Sequence, residues 1–233
     1  MKKQIFSDKQ AQFFDYLLSY AKKGNEKLPP IAAIGEDLGI STPNIRELIA
    51  TAKVLGLISI QPRTGISILP YDFSPAILKS LYYAVRSDSE YFEQFSDLRN
   101  ELEKAYFIKA SAALSEEDIA RLFRIVSKAS EKLNGNPIQI PHEEHKAFHM
   151  LIYKNLNNTF VDGLLNAYWD MYELIGLNTY NGFNYLQRVW KYHREIAQAI
   201  QAKDLAGAYQ LLHDHIELLS QRDMDLRSTI DAK

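Results

Sequence analysis

The sequence predicts a mainly α-helical fold in two parts, and three observations support this prediction. Residues 7–55 carry apolar side chains at helical spacing, interrupted by glycines and prolines. Residues 57–69 alternate apolar and polar side chains in two short runs, as β-strands do. Beyond these runs, helical patterns continue without another strand signal. We therefore predict two domains, over residues 1–70 and 71–233.

The composition favours a folded protein of the cytoplasm. Of the 233 residues, 46% are hydrophobic, which is ample for packed cores. No cysteine is present, so disulfides, thiolate metal sites and cysteine nucleophiles are excluded. No apolar run approaches the roughly 18 residues of a membrane span, and the basic N-terminus lacks the apolar segment of a signal peptide. We therefore expect a cytoplasmic protein that does not contact a membrane.

The net charge of -2 hides a difference between the two predicted domains. Residues 1–70 carry nine basic and six acidic side chains, a balance of +3. Residues 71–233 carry eighteen basic and twenty-three acidic side chains, a balance of -5. Only the first domain therefore has the sign of charge expected of a nucleic-acid binder.

Three helices are predicted in the first domain. The first begins near Ser7, which fits an N-cap. Pro30 opens a second helix, and Gly39 ends it because glycine tolerates positive φ. Ser41 fits the N-cap of a third helix, and Pro43 fits its first turn. The second and third helices, joined by a tight turn, form a helix-turn-helix whose second member fits the major groove of DNA.

Two strands follow the third helix, over residues 57–61 and 66–69, and the turn between them carries Arg63 and Gly65. Three helices followed by such a hairpin describe a winged helix-turn-helix. Arg63 is suitably placed there for a phosphate or minor-groove contact, and Gly65 lets the backbone approach DNA closely. The alternative is a winged helix that serves as a protein–protein module.

Several motifs of the first domain stand in a characteristic order. They are Leu28-Pro29, Leu38-Gly39-Ile40-Ser41, Pro43, Ile45-Arg46-Glu47, Leu55-Gly56-Leu57-Ile58 and Arg63-Thr64-Gly65. In order and spacing they resemble the DNA-binding domain of GntR-type bacterial transcription regulators. The resemblance implies that Arg46 contacts a base or phosphate, with Ser41, Thr42 and Asn44 as neutral donors. The family usually has arginines where this chain has Ala32 and Thr42, so two expected DNA contacts are missing.

Seven helices are predicted in the second domain, and local signatures mark their ends. Ser115 followed by three acidic residues ending at Asp118 is a capping signature, and residues 134–137 read Asn-Gly-Asn-Pro, a loop. Asn158 and Asp204 fit N-caps. The predicted ranges are about 74–86, 89–113, 115–133, 141–156, 158–178, 182–202 and 204–228. We therefore predict a single all-α bundle for this domain.

Half of the six histidines lie in the eight residues from His142 to His149. On a helix, His145 and His149 project from one face, the spacing that presents two imidazoles to one metal ion. His193 and His215 lie on two later predicted helices. Each histidine alone is explained more simply as a hydrogen-bonded core residue. Their confinement to three places on helices favours a shared site.

A second set of motifs extends the resemblance through the helical domain. The motifs are Asp97-Leu98-Arg99, Leu102-Glu103, Ala112-Ala113, His145-x-x-Phe148-His149, Asn158, Tyr192-His193-Arg194-Glu195-Ile196, Ala199-Ile200, Asp204, Ala208 and His215-Ile216. They are similar to the FCD-type effector-binding domain of the FadR-like branch of the GntR family. Many members of that branch bind a divalent metal with one Asp and three His, and use it to help bind a small carboxylate. The resemblance places His149, His193 and His215 on the histidine positions and His145 on the Asp position.

The resemblance implies a divalent transition metal as cofactor and a small carboxylate as effector. Imidazoles from three helices suit Zn²⁺ or Ni²⁺, and His145 in place of Asp makes the ligand set one charge more positive. If His145 turns away, a three-histidine site with an open position remains. Arg99 would anchor the effector carboxylate, and Asn158 is the other predicted ligand-binding residue. Alternatively, Arg99 simply pairs with Glu103 on its own helix.

The function predicted from the sequence is a ligand-responsive transcription regulator that binds a palindromic DNA operator as a homodimer, as a repressor or, alternatively, as an activator. A metal-dependent enzyme acting on a small organic acid is disfavoured. The protease motif His-Glu-x-x-His is absent, and Lys146 stands beside His145 where a catalytic base would be. No nucleophile elbow or dinucleotide fingerprint appears either. Two further alternatives stay open, a regulator that senses an acyl ligand without metal and a metal-stapled dimer without any ligand.

Overall fold

The computed structural model describes residues 6–24, 26–175 and 182–230. Within those ranges it contains ten α-helices, one 3-10 helix and two β-strands, so the predicted mainly α-helical fold is confirmed. None of these helices is both long enough and apolar enough to span a bilayer. The chain divides into two compact units, Met1–Ser80 and Leu81–Lys233.

The first unit contains three helices followed by a hairpin, in the predicted order. These elements are α1 (Asp8–Lys22), α2 (Ile31–Leu38), α3 (Thr42–Val54), β1 (Ile58–Gln61) and β2 (Gly65–Ile68). Their core is apolar, and the side chains of Phe13, Ile34 and Ile45 at its centre are fully buried. The burial of apolar side chains in this core stabilises three short helices that would be only marginally stable in isolation.

Glycine is required where α2 turns into α3. Gly35 lies buried in α2, and a Cβ atom there would stand 2.8 Å from the backbone oxygen of Ile40. Gly39 ends α2 with φ 63°, and the N–H of Ile40 donates to the oxygen of Gly35. These two glycines therefore allow the tight turn of the predicted helix-turn-helix.

The N-cap residues of α1 and α3 are those predicted, but only the first caps its helix through its side chain. Ser7 and Gln10 form a reciprocal capping box at the start of α1. Pro43 lies in the first turn of α3 as predicted, but the side chain of Ser41 makes no capping hydrogen bond. Ser41 is therefore the N-cap residue of α3, as predicted, but its side chain does not cap the helix. Pro43 removes one of the two N–H groups that a capping side chain at Ser41 would reach.

The hairpin has a third chain segment beside it. β1 and β2 are antiparallel, with Ile58 opposite Ile68. A bridge between Lys27 and Ser67 adds the segment before α2 to the other edge of β2. In the turn, Arg63 has φ 70° and Gly65 has φ 84°. Arg63 thus holds a left-handed conformation that a non-glycine residue seldom adopts.

The second unit is helical throughout its described residues. Its elements are α4 (Ser74–Ser87), which begins in the first unit, α5 (Glu90–Ala112), α6 (Glu116–Leu133), α7 (His142–Tyr153), the 3-10 helix Lys154–Leu156, α8 (Thr159–Leu174), α9 (Phe183–Gln201) and α10 (Leu205–Ile230). The predicted helix over 141–156 is thus an α-helix with a 3-10 end. The last three residues of the one predicted over 158–178 lie outside the described residues.

The predicted caps of the second unit are confirmed. Ser115 and Asp118 form a reciprocal capping box at α6. The side-chain oxygen of Asn158 accepts the N–H groups of Phe160 and Val161 at α8. Asp204 Oδ1 accepts a hydrogen bond from the N–H of Gly207 at 2.9 Å, at the start of α10. These side chains satisfy N–H groups that lack a partner inside their helices.

Candidate metal centre

Four histidines converge inside the second unit. His145 and His149 lie one turn apart on α7, His193 lies on α9, and His215 lies on α10. One ring nitrogen from each lies within 4.8 Å of those of the other three. The side chains of His149, His193 and His215 are fully buried. The structure therefore brings together the four histidines that the sequence singled out, His145 included.

Several nitrogens of this histidine cluster lack a hydrogen-bond partner. His149 Nε2 and His193 Nε2 lie 3.1 Å apart. His145 Nε2 and both ring nitrogens of His215 are buried without any partner among the described residues. Buried polar atoms without partners are costly, and native structures contain few of them. Converging lone pairs of this kind fit a metal ion, which would satisfy several of them at once.

Burial keeps the clustered imidazoles neutral. Desolvation is the largest cause that lowers the pKa of His145, His149, His193 and His215 well below the ordinary value. The positive charge of Arg99 lowers the pKa of His149 further. A metal ligand must be a neutral imidazole, so the lowered pKa values give the cluster the charge state that metal binding requires.

A buried ion pair from α5 adjoins the cluster. Arg99 Nη2 lies 2.9 Å from Glu103 Oε1 and 3.1 Å from His149 Nδ1. Both carboxylate oxygens of Glu103 also lie 3.1 Å from that nitrogen. The pairing of Arg99 with Glu103, which the sequence left open as an alternative, is therefore present. Burial raises the pKa of Glu103, and the charge of Arg99 opposes that rise.

Sequence reasoning did not select Glu103 as a site residue. Its spacing of four from Arg99 is typical of an ordinary ion pair on a helix surface. In the structure Glu103 is 0% exposed and Arg99 is 2% exposed. Two signals were present in the sequence, the pair itself and the motif Leu102-Glu103 of the family resemblance, and neither showed that the pair is buried.

Aromatic rings enclose the arginine and part of the histidine cluster. The guanidinium carbon of Arg99 lies 4.8 Å from the ring centre of Tyr168 and 5.0 Å from that of Trp169. The ring centres of Trp169 and His145 are 4.7 Å apart. Such cation–π contacts stabilise a guanidinium that is removed from water. They also hold the charge of Arg99 beside the cluster.

A pocket of about 330 Å³ reaches this site from the side of α7 and α8. Its lining includes His145 and Trp169, together with the side chains of Met150 and Tyr172. A small ligand in this pocket would meet His145 before the three fully buried histidines. The pocket therefore offers a mostly apolar path from the surface to the cluster.

The other predicted ligand residue, Asn158, has an observed structural role. Its side-chain oxygen caps α8, as described above. A ligand-binding role would therefore have to use the amide nitrogen, and it stays a prediction.

The predicted DNA contacts lie on the surface of the first unit. Ser41, Thr42 and Arg46 are exposed at the start of α3, and Asn44 beside them is half-buried. Arg63 and Gly65 are exposed in the hairpin turn. Thr42, Asn44 and Arg46 lie near the start of α3, and the same end of a DNA recognition helix usually faces the base edges.

Known proteins are similar to the helical region and to most of the chain. Residues 94–218 match the FCD domain family. The HTH-type transcriptional regulator YcbG of Bacillus subtilis is 22% identical over 216 residues, which cover 89% of this chain and 85% of that protein. The Uxu operon transcriptional regulator of Escherichia coli is 23% identical over 226 residues, which cover 95% of this chain and 87% of that protein. The solved structure of Streptococcus agalactiae GntR has the same fold, with a TM-score of 0.68 and 19% identity over 92% of this chain and 99% of that one.

Proposed function

This chain belongs to the FCD-domain family of GntR-type transcription regulators, and from that premise we propose that it is a DNA-binding repressor that senses a small carboxylate through a bound transition metal. Its relatives are named as transcription regulators and not as enzymes. The observation that carries the proposal is the convergence of four imidazoles, three of them fully buried, beside the buried Arg99.

The first unit would read DNA. A homodimer would present two copies of α3 to a palindromic operator, with the half-sites spaced by the two-fold symmetry. Exposed Arg46 supports a base or phosphate contact, and exposed Arg63 in the hairpin turn supports a phosphate or minor-groove contact. The balance of +3 over residues 1–70 adds a weak attraction to the polyanion.

The second unit would hold Zn²⁺ or Ni²⁺ on His145, His149, His193 and His215. Neutral imidazoles suit these borderline ions better than they suit Mg²⁺ or Ca²⁺, which prefer oxygen. When bound, the ion supplies a Lewis-acid centre to which a carboxylate oxygen can coordinate. Four neutral ligands leave the charge of the ion undiminished, which favours an anionic effector.

Arg99 would bind the same effector from the protein side. Its guanidinium is buried beside the cluster, and a carboxylate is the group that it pairs with most specifically. The pocket between α7 and α8 gives a small ligand access as far as His145. The effector would bind the DNA-competent and the DNA-incompetent arrangements of the protein with different affinities. The ratio of these two affinities sets how far the effector can change the affinity for the operator.

The test begins with DNA fragments selected on the full-length protein from a randomised pool. Their affinity is then measured with zinc-loaded and with chelator-treated protein, each against a panel of mono- and dicarboxylates. We expect at least one carboxylate to weaken DNA binding by about 5- to 150-fold, the usual range of allosteric coupling, and only in the zinc-loaded protein. Absence of any sequence-selective fragment would contradict the DNA assignment. An equal response with and without zinc would favour the metal-free alternative.

A further inference from the structure

The Nδ1 atom of His149 has two competing partners, and this competition suggests how the site is organised. We infer that Glu103 is the positioning residue of the metal centre, because it selects the tautomer in which His149 turns a free Nε2 lone pair towards the ion. The inference deepens the proposed function and rests on it.

The contacts of His149 are compatible with two neutral tautomers. In one, Nδ1 accepts a hydrogen bond from Arg99 at 3.1 Å, and the protonated Nε2 donates to His193 Nε2 at 3.1 Å. In the other, Nδ1 carries the proton and donates to the Glu103 carboxylate, whose two oxygens both lie 3.1 Å away. The first tautomer uses the Nε2 proton inside the histidine cluster. The second leaves Nε2 with a free lone pair there.

Metal binding requires the second tautomer. Since His149 Nε2 faces the cluster, it ligates an ion only when the ring proton is on Nδ1. A protonated Nδ1 is a donor, and Arg99 has donors alone, so Arg99 cannot be its partner. Glu103 is the contacting group whose oxygens can accept the hydrogen bond from this N–H. A carboxylate that accepts from a ligating histidine also makes the imidazole a stronger ligand.

The same change releases part of Arg99. In the first tautomer one N–H of Arg99 Nη2 is used by His149 Nδ1. In the second tautomer that N–H loses its acceptor and becomes available to another carboxylate. Glu103 thereby couples the two halves of the proposed sensor, because the tautomer that prepares His149 for metal also frees a donor of Arg99 for the effector.

Besides the geometry, the charges of the side chains around His149 support the assignment of Glu103 as the positioning residue. None of the four clustered side chains carries a negative charge, and Arg99 adds a positive one beside them. Glu103 places a fully buried carboxylate in direct contact with the cluster, through His149. Its removal would leave the positive charge of Arg99, and of any bound ion, without this compensation.

The test measures Zn²⁺ affinity, by competition with a chromogenic chelator, for the full chain and two variants. Glu103→Gln keeps the size of the side chain and one acceptor oxygen but loses the charge. We expect it to weaken Zn²⁺ binding by about 10- to 100-fold, as changes to partners of ligating histidines do. Glu101→Gln is the matched control on the same helix. Glu101 is 64% exposed and pairs with Lys104, so we expect the Glu101→Gln variant to bind Zn²⁺ as tightly as the wild type.

A spectroscopic measurement on the wild-type protein tests the tautomer directly and does not depend on whether Glu103→Gln folds. In the zinc-loaded protein, two-bond ¹H–¹⁵N correlations of the His149 ring should show a protonated Nδ1 and a metal-bound Nε2. A proton on Nε2 with the metal on Nδ1 would overturn the inference. So would a folded Glu103→Gln variant that binds Zn²⁺ as tightly as the wild type. If the wild type itself bound no Zn²⁺, the failure would be that of the proposed metal site.

Discussion

The residues proposed to touch DNA lie on the surface of the first unit, whereas those proposed to hold metal and effector lie mostly inside the second. Arg46 and Arg63 are exposed, while His149, His193 and Glu103 are 0% exposed. An exposed contact residue needs only the right local backbone, such as the first turn of a helix or a hairpin turn. A buried polar residue also needs partners from several helices, because desolvation is costly without them. The second site is therefore the more sensitive to single changes.

The largest expected effect is on metal binding in the second unit. His193→Ala removes a ligand from the centre of the cluster, so we expect Zn²⁺ affinity to fall by more than about 100-fold, beyond the range for indirect partners. The carboxylate response of DNA binding should disappear with the metal. Chelator competition and DNA titration measure the two effects. His213→Ala is the control on the same helix, because His213 is half exposed and lies outside the cluster. Normal Zn²⁺ affinity in His193→Ala would remove this residue from the site.

A smaller effect is expected from the exposed site of the first unit. Arg46→Ala should weaken binding to the selected DNA fragment by about 1–3 kcal/mol, the cost of losing one specific contact. Its Zn²⁺ affinity should stay at the wild-type value, since Arg46 belongs to the other unit. Arg124→Ala removes the same charge from an exposed position on α6 and should leave DNA affinity unchanged. If Arg46→Ala bound the fragment as the wild type does, α3 would not be the reading helix.

The smallest effect concerns the stability of the second unit away from its site. A hydrogen bond from Lys154 is the main cause that lowers the pKa of Asp118 from 3.8 to about 2. Because the folded pKa lies below the unfolded one, this stabilisation is present above about pH 4 and is lost as the pH falls towards 2. Asp118→Ala, which also removes the capping box, should lower the free energy of unfolding by about 1 kcal/mol at pH 5.

Urea unfolding of the metal-free protein at pH 5 and pH 3 measures this difference. The difference in the free energy of unfolding between the wild type and Asp118→Ala should be smaller at pH 3 than at pH 5. Glu117 is exposed in the same helical turn, so Glu117→Ala should differ from the wild type by almost nothing at either pH. A gap that grew at pH 3 would contradict the assigned pKa direction.

Local chemistry explains why the elements were predictable and why part of the site was not. The capping box of Ser115 and Asp118 and the cap at Asn158 depend on neighbours within three residues, so the sequence contains their whole signal. The spacing of His145 and His149 likewise showed a shared face. Ser41 failed as a side-chain cap although its residue type fits.

The missing information was tertiary. Glu103 looks like half of a surface ion pair until α5 packs against α7 and buries it beside His149. The inclusion of His145 in the cluster also depends on how α7, α9 and α10 meet, which no spacing within one helix determines. Sequence therefore indicated which side chains were chemically unusual, and packing determined which of them act together.

The most direct test of the central claim is a Zn²⁺ titration of chelator-stripped, full-length protein, with the bound metal counted by elemental analysis. The four-histidine cluster predicts one tightly held ion per chain, lost in His193→Ala and kept in His213→Ala. A folded wild-type protein that retains no ion after exposure to excess Zn²⁺ or Ni²⁺ would contradict the claim that these histidines form a metal centre.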